Sequence, residues 1–258
     1  MKGLITLVLF LAPGALFAQS AFEGTWRIDL QSTQYIGQDN FSLQNGAYRC
    51  DSCEPKIDVK ADGQDHKVTG SPYFDIVNVR AIDDHTVEIV NKKGAKVVGT
   101  SKVTASEDGK ELTTEFTFVT EGGQNGGGKY NSARVSTAPA GANKISGVWQ
   151  PGKLETASES MVVLTFKTTQ DGLSMSDQAG NSYSAKFDGK DYPYKGDPGV
   201  TSVSLRKIDA NTIEETDKRN GKVIYIARIT VAPDGATLSF NTEDKLRGVA
   251  YKSTAKKQ

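Results

Sequence analysis

The chain has 258 residues, with 31 Lys or Arg against 31 Asp or Glu, two His, two Cys, two Trp and 26 Gly. Its formal charge is zero and no basic stripe appears, which argues against nucleic-acid binding, since that draws on clustered cationic charge. At 24% charged and 37% hydrophobic residues the composition is globular rather than disordered, and the length suits one large or two small domains.

The N-terminus has the pattern of a secretory signal: Lys2, an apolar run from Gly3 to Ala12, then Pro13-Gly14-Ala15 and Leu16-Phe17-Ala18 before polar Gln19. The run is about half the roughly 20 residues that a membrane-spanning helix needs, so cleavage after Ala18 is expected rather than anchoring. No Cys near that point could carry a lipid, and no later segment is apolar enough to span a membrane. A secreted or periplasmic protein follows.

The rest of the chain repeats itself. A shift of 126 residues aligns Lys60–Leu112 with Lys186–Leu238 without a gap, and 19 of the 53 positions are identical. Arg80-x-Ile82-Asp83 falls on Arg206-x-Ile208-Asp209, and Thr86-x-Glu88 on Thr212-x-Glu214. At an offset of 123, Gly24-Thr25-Trp26 meets Gly147-Val148-Trp149. Units of this length are small domains rather than solenoid repeats. The expected organisation is a signal peptide over 1–18, one unit over 19–137, an uncharged linker of small residues over 138–143, and a second unit over 144–258.

Both units read as β. Asp-Gly pairs at 62, 108, 171, 188 and 234 and Asn-Gly pairs at 45, 125 and 220 supply the positive φ that tight hairpins demand. Between them lie alternating runs such as Val77-x-Val79-x-Ala81, Leu112-x-Thr114-x-Phe116-x-Phe118, Val203-x-Leu205 and Leu238-x-Phe240. Nowhere do twelve residues hold a helical apolar stripe free of turn signals. The expected fold is all-β, with two antiparallel up-and-down barrels in tandem, each with room for about eight strands and closed to remove its edges.

A Gly-x-Trp opening the first strand of such a barrel resembles the lipocalins and their calycin relatives. The resemblance implies that Trp26 and Trp149 each plug a barrel end. It also implies that a basic residue on the last strand packs across the ring, Arg134 in the first unit and Arg247 or Lys252 in the second. The run from Phe187 to Pro198, followed by Val203 to Thr212, is similar to a group of bacterial secreted proteins of uncharacterised activity, over roughly residues 144 to 254.

Chemistry is sparse. Cys50-Asp51-Ser52-Cys53 reads as a local structural disulfide, because its β setting offers no helix N-terminus to stabilise a thiolate. Two Cys with distant His66 and His85 do not make a zinc site, and the spacing of Asp188, Asp191 and Asp197 matches no calcium loop. Neighbouring acids such as Glu214-Glu215 point to opposite faces of a strand. No nucleophile elbow and no phosphate or dinucleotide glycine motif occurs, and Gly122–Gly128 reads as a hairpin loop. No catalytic set, metal or cofactor is expected. The aromatics Tyr73, Phe74, Phe187, Tyr192, Tyr194 and Tyr225 are candidates to line a barrel interior or mouth, since a buried Tyr hydroxyl suits a cavity of mixed polarity. Two readings follow: a non-catalytic carrier of a small, partly apolar molecule, or a filled-barrel module that meets an unidentified protein or envelope surface. Divergence at the 126 offset, His66 against Tyr192 and Gly99 against Tyr225, predicts that the two interiors no longer do identical work.

Overall fold

The computed structural model describes residues 21–136 and 138–258; the expected signal peptide over 1–18 and Thr137 lie outside them. The described chain is all-β apart from one short helix. In order, the strands of the first half are β1 (Gly24–Ile36), β2 (Asp39–Gln44), β3 (Ala47–Cys50), β4 (Ile57–Lys60), β5 (Asp62–Lys67), β6 (Ile76–Ala81), β7 (Thr86–Lys93), β8 (Lys96–Ala105), β9 (Glu111–Val119) and β10 (Asn125–Arg134). The second half adds β11 (Gly147–Ala157), helix α1 (Glu159–Val162), β12 (Val163–Thr168), β13 (Gly172–Asp177), β14 (Ser182–Lys186), β15 (Tyr192–Lys195) and β16 (Ser202–Lys207). It ends with β17 (Thr212–Arg219), β18 (Lys222–Val231), β19 (Thr237–Asp244) and β20 (Val249–Lys257). The 126-residue offset carries β6, β7 and β8 onto β16, β17 and β18 end to end.

The strands form two antiparallel ten-stranded sheets, two strands more per sheet than turn spacing predicted. One closes fully, and the other is nearly closed, its edges β4 and β5 lying side by side. We call the sheet built around β2 to β10 barrel 1 and the sheet built around β12 to β20 barrel 2. Their first strands are exchanged. β1 pairs with β12 and β20, so it completes barrel 2, while β11 pairs with β2 and β10 and completes barrel 1. Both long strands break register where they cross, β1 between Asp29 and Gln34 and β11 between Tyr130 and Ser132 of its partner. There the Thr33 hydroxyl accepts the Leu154 amide at 3.2 Å, and the Gln150 side chain donates to the Tyr35 carbonyl at 3.1 Å. The chain passes from β1 to β2 at Gly37, where a Cβ would lie 2.4 Å from the Val249 side chain, so only glycine lets the backbone through.

The exchange moves the plugs with it. Trp26 sits fully buried in the core of barrel 2 among Phe22, Phe166, Leu173 and Leu238, and Trp149 in the core of barrel 1 with Leu43, Val79, Val87, Leu112 and Ile145. Each indole N–H donates to the carbonyl four residues back, Phe22 or Ile145, at 2.8 Å, which satisfies the one polar atom of a buried ring. The Arg134 guanidinium lies 4.0 Å over Trp149 and donates to the carbonyls of Gly109, Ser136, Lys144 and Ser146. Over Trp26 the matching cation is Lys257, at 5.2 Å; Arg247 and Lys252 are elsewhere. The glycine of each Gly-x-Trp has φ of +138° or +133°, and a Cβ there would meet the Lys257 or Arg134 side chain at 2.6 Å. The motif is thus a backbone requirement joined to a cation–π stack. The 138–143 segment docks on barrel 1, with Gln44 donating to the Ala140 carbonyl and Asn143 bonding Leu43 and Asp83.

This topology makes a non-local prediction. Trp26→Ala removes a fully buried indole and should cost about 3–5 kcal/mol, all of it in the other half of the sequence. Hydrogen–deuterium exchange read by mass spectrometry should show protection lost across 163–257 and kept across 39–134. Loss confined to 39–134 would contradict the exchange.

Candidate functional site

The two barrels present the same strand ends to one another but fill them differently. Inward positions pair off through identical registers: Ile89 faces Ser101 and Asn91 faces Gly99 in barrel 1, where Glu215 faces Ala227 and Asp217 faces Tyr225 in barrel 2. At the same offset Ile57 stands for Tyr183 and Val68 for Tyr194. Three tyrosines of barrel 2 are therefore replaced in barrel 1 by Ile, Val and Gly. Barrel 1 holds a cavity of about 380 Å³, walled by Phe41, Tyr48, Ile57, Phe74, Ile89 and Tyr130, with Ile57 standing there where barrel 2 has Tyr183. It continues through Tyr73, Phe74, Asn91, Ser101 and Tyr130 into a wider groove of about 1000 Å³ between the barrels. The stretch expected as a loop at Gly122–Gly128 is strand from Asn125 onward, and its glycines serve this wall. A Cβ at Gly126 would sit 2.1 Å from the Phe118 ring and one at Gly128 3.1 Å from the Phe116 ring, so both rings reach over bare backbone.

Barrel 2 supplies the cap. Arg219, Tyr225, Asp244, Leu246 and Arg247 close over the cavity. Arg247, in the turn between β19 and β20, reaches across to barrel 1, donating to Asp39 at 2.9 Å and to the Ser52 carbonyl at 2.8 Å. It also donates to the hydroxyls of Tyr35 and Tyr251 at 2.9 and 3.2 Å. Burial raises the Asp39 carboxyl above its ordinary value, opposed by the Arg247 charge and by hydrogen bonds from Tyr35, Arg247 and Ser52. Ser52 belongs to the Cys50–Cys53 disulfide loop, which holds that carbonyl toward Arg247. A second tie is Tyr73, whose hydroxyl would stand 2.0 Å from a Cβ on Gly199.

Of the aromatics singled out in sequence, Tyr73, Phe74 and Tyr225 meet at this cavity. Phe187, Tyr192 and Tyr194 pack on the core of barrel 2 instead, and the Tyr192 hydroxyl donates to Asp188 at 3.0 Å. Trp26, Trp149 and Arg134 sit at barrel ends, and Cys50 and Cys53 are bridged. Among the described residues no three His, Cys, Asp or Glu side chains converge as a metal-binding group.

Sequence reasoning overlooked Glu215 and Asp217. They are two apart on β17, so the period of a strand sends both inward, whereas the adjacent pair Glu214-Glu215 drew attention and splits between faces. The Tyr183 hydroxyl donates to Glu215, while Asp217 Oδ1 is buried with no hydrogen-bond partner. Burial pushes the Glu215 carboxyl up to about 7 and the Asp217 carboxyl up to about 8, the latter further raised by Glu215 and Asp197. The side chain without a partner is the one that keeps its proton, which removes the charge that the barrel interior cannot solvate.

No protein-family model matches the chain, and no curated protein matches it either.

Two measurements test these interactions. Arg247→Met should destabilise the protein by about 3–5 kcal/mol by leaving Asp39 buried and unpaired, and adding Asp39→Leu should recover most of that in chemical denaturation. Leucine is the natural choice, because Asp39 and Leu164 occupy the same place opposite Trp149 and Trp26. The acid pair sets a pH dependence of the opposite sign to an ordinary ion pair. With native values above the unfolded ones near 4, the stability contribution is full below about pH 4 and declines up to about pH 8. Glu215→Gln with Asp217→Asn should therefore stabilise the protein at pH 8 in chemical denaturation, with the advantage vanishing near pH 4.

Proposed function

We propose that the protein is a non-catalytic binding protein, secreted or periplasmic, that holds a small, partly apolar molecule in barrel 1. The observation that carries this reading is the cavity of about 380 Å³ in barrel 1, walled mainly by apolar and aromatic side chains such as Phe41, Ile57, Phe74 and Tyr130. The volume falls in the range of small-molecule sites, and a mainly apolar wall with a few polar groups is their usual chemistry. The carrier reading agrees with the lipocalin-like opening motif, and the extracytoplasmic location with the signal pattern over 1–18 and the disulfide.

The other reading, a filled barrel that acts through its surface, is favoured for barrel 2 alone, where tyrosines and the acid pair occupy the corresponding interior.

Native mass spectrometry of protein purified from its own compartment should show an adduct that is released on unfolding. Ile57→Tyr places the side chain that barrel 2 carries at Tyr183 into the cavity wall, and should abolish the adduct in protein that circular dichroism shows to be folded. A clean apo mass for the wild type would overturn the carrier reading.

A further inference from the structure

Five charged side chains line the barrel 1 cavity, and four of them are accounted for. Asp39 and Arg247 hold each other at 2.9 Å, Asp244 accepts the amides of Leu246 and Arg247 at 2.9 and 3.0 Å, and Glu54 is exposed at the rim. The fifth is Arg219, the last residue of β17, which barrel 2 sends to the cavity. Its Nε donates to the Gly199 carbonyl at 2.8 Å, and among the described residues its two terminal nitrogens have neither a hydrogen bond nor an acidic partner. That bond orients the guanidinium and leaves its far edge, a planar pair of N–H donors with a full positive charge, for another group. Arg219 is half-buried, and its charge acts on the cavity wall: burial raises the Tyr73 and Tyr225 phenols, and Arg219 opposes that rise in both. Asp197, beside Tyr73, accepts the Gly199 amide at 2.6 Å. Phe41, Ile57, Phe74 and Ile89 keep the body of the cavity apolar. A planar cation on an apolar cavity matches a molecule with an apolar body and one planar anionic end, because a carboxylate takes both donors of a guanidinium edge at once. A single unpaired cation suits a single negative charge.

We propose that the barrel 1 cavity takes a monocarboxylate with an apolar body, and that Arg219 of barrel 2 receives the carboxylate. This rests on the carrier reading above and names the ligand class. The site is shared: barrel 1 gives the apolar container and barrel 2 the charge, so neither repeat binds the guest alone. Lys93 holds the position equivalent to Arg219 in barrel 1, but it donates to the Pro72 carbonyl at 3.3 Å and lines the outer groove rather than the cavity.

Three probes with one apolar body and different heads test it on the full chain: phenylbutanoate, phenylbutanol and phenylbutylammonium, titrated by calorimetry near neutral pH. The wild type should bind the carboxylate about tenfold more tightly than the alcohol, the scale of one charge-assisted pair at a half-buried site, and the ammonium least. Arg219→Gln should bring carboxylate and alcohol within about twofold of each other and leave the affinity for the alcohol unchanged. Lys93→Gln, which removes the same charge from the groove, should keep the preference. Equal binding of carboxylate and alcohol by the wild type, a preference that survives in Arg219→Gln, an equal loss in Lys93→Gln, or tightest binding of the ammonium would each overturn the proposal. Should Arg219→Gln not fold, the wild type decides: the preference for acid over alcohol should shrink to within about twofold by about pH 3.5, as the guest's carboxyl takes up its proton, and a preference kept there overturns the proposal. The native adduct is a separate readout, since once released it should couple to an amine through a carbodiimide as a carboxylic acid does. An adduct that does not couple overturns the proposal and leaves the carrier reading standing, while no adduct and no bound probe would sink both.

Discussion

The exchange of β1 and β11 governs everything else in this molecule. A barrel needs its end plugged, and here the plug is a tryptophan on a strand coded in the opposite half of the sequence, capped by a cation from the barrel's own last strand. Arg134 and Trp149 are near in sequence yet belong to different repeats, whereas Lys257 and Trp26 stand at the two ends of the described chain. Because the long strands must pass each other, the barrels are held side by side, and their rims meet. The cavity, its cap and the Arg247 tie all exist because of that enforced contact.

Within this frame the repeats have diverged by exchanging inward side chains, with losses and gains of bulk on both sides. Strand boundaries and registers are kept, so the change is confined to what the inward positions carry. Tyrosines and carboxylates fill barrel 2, and its buried acid pair is an expense in stability at neutral pH. Barrel 1 replaces them with smaller uncharged groups and adds Phe116 and Phe118 where barrel 2 has Thr242 and Asp244. A packed neighbour is a good lid for the cavity of barrel 1, since a packed interior resists collapse into the adjoining space.

The sequence carried the all-β class, the repeat and its offset, the hairpin turns and the disulfide, because each depends on local periodicity or spacing. The exchange was hidden for a physical reason: Gly24-Thr25-Trp26 and Gly147-Val148-Trp149 are so alike that either could complete either barrel, so no residue pattern states the choice. Asp39 and Arg247 were missed because their significance is relational. An arginine 208 positions from an aspartate reveals nothing until the fold joins them. Glu215 and Asp217 were within reach, since strand alternation alone places both on one face.

The exchanged strands also impose an order on the life of the chain. β1 is synthesised before the other strands of the described chain, yet it belongs to the barrel whose remaining strands follow β11. Barrel 1, though its own strands are complete by Arg134, waits for β11 to arrive from beyond the repeat boundary. Neither barrel can reach its final closure while the chain is still half made, so the molecule matures late and as a whole. A ribosome that stops at the boundary between the repeats leaves behind not one finished domain but a barrel without its own plug.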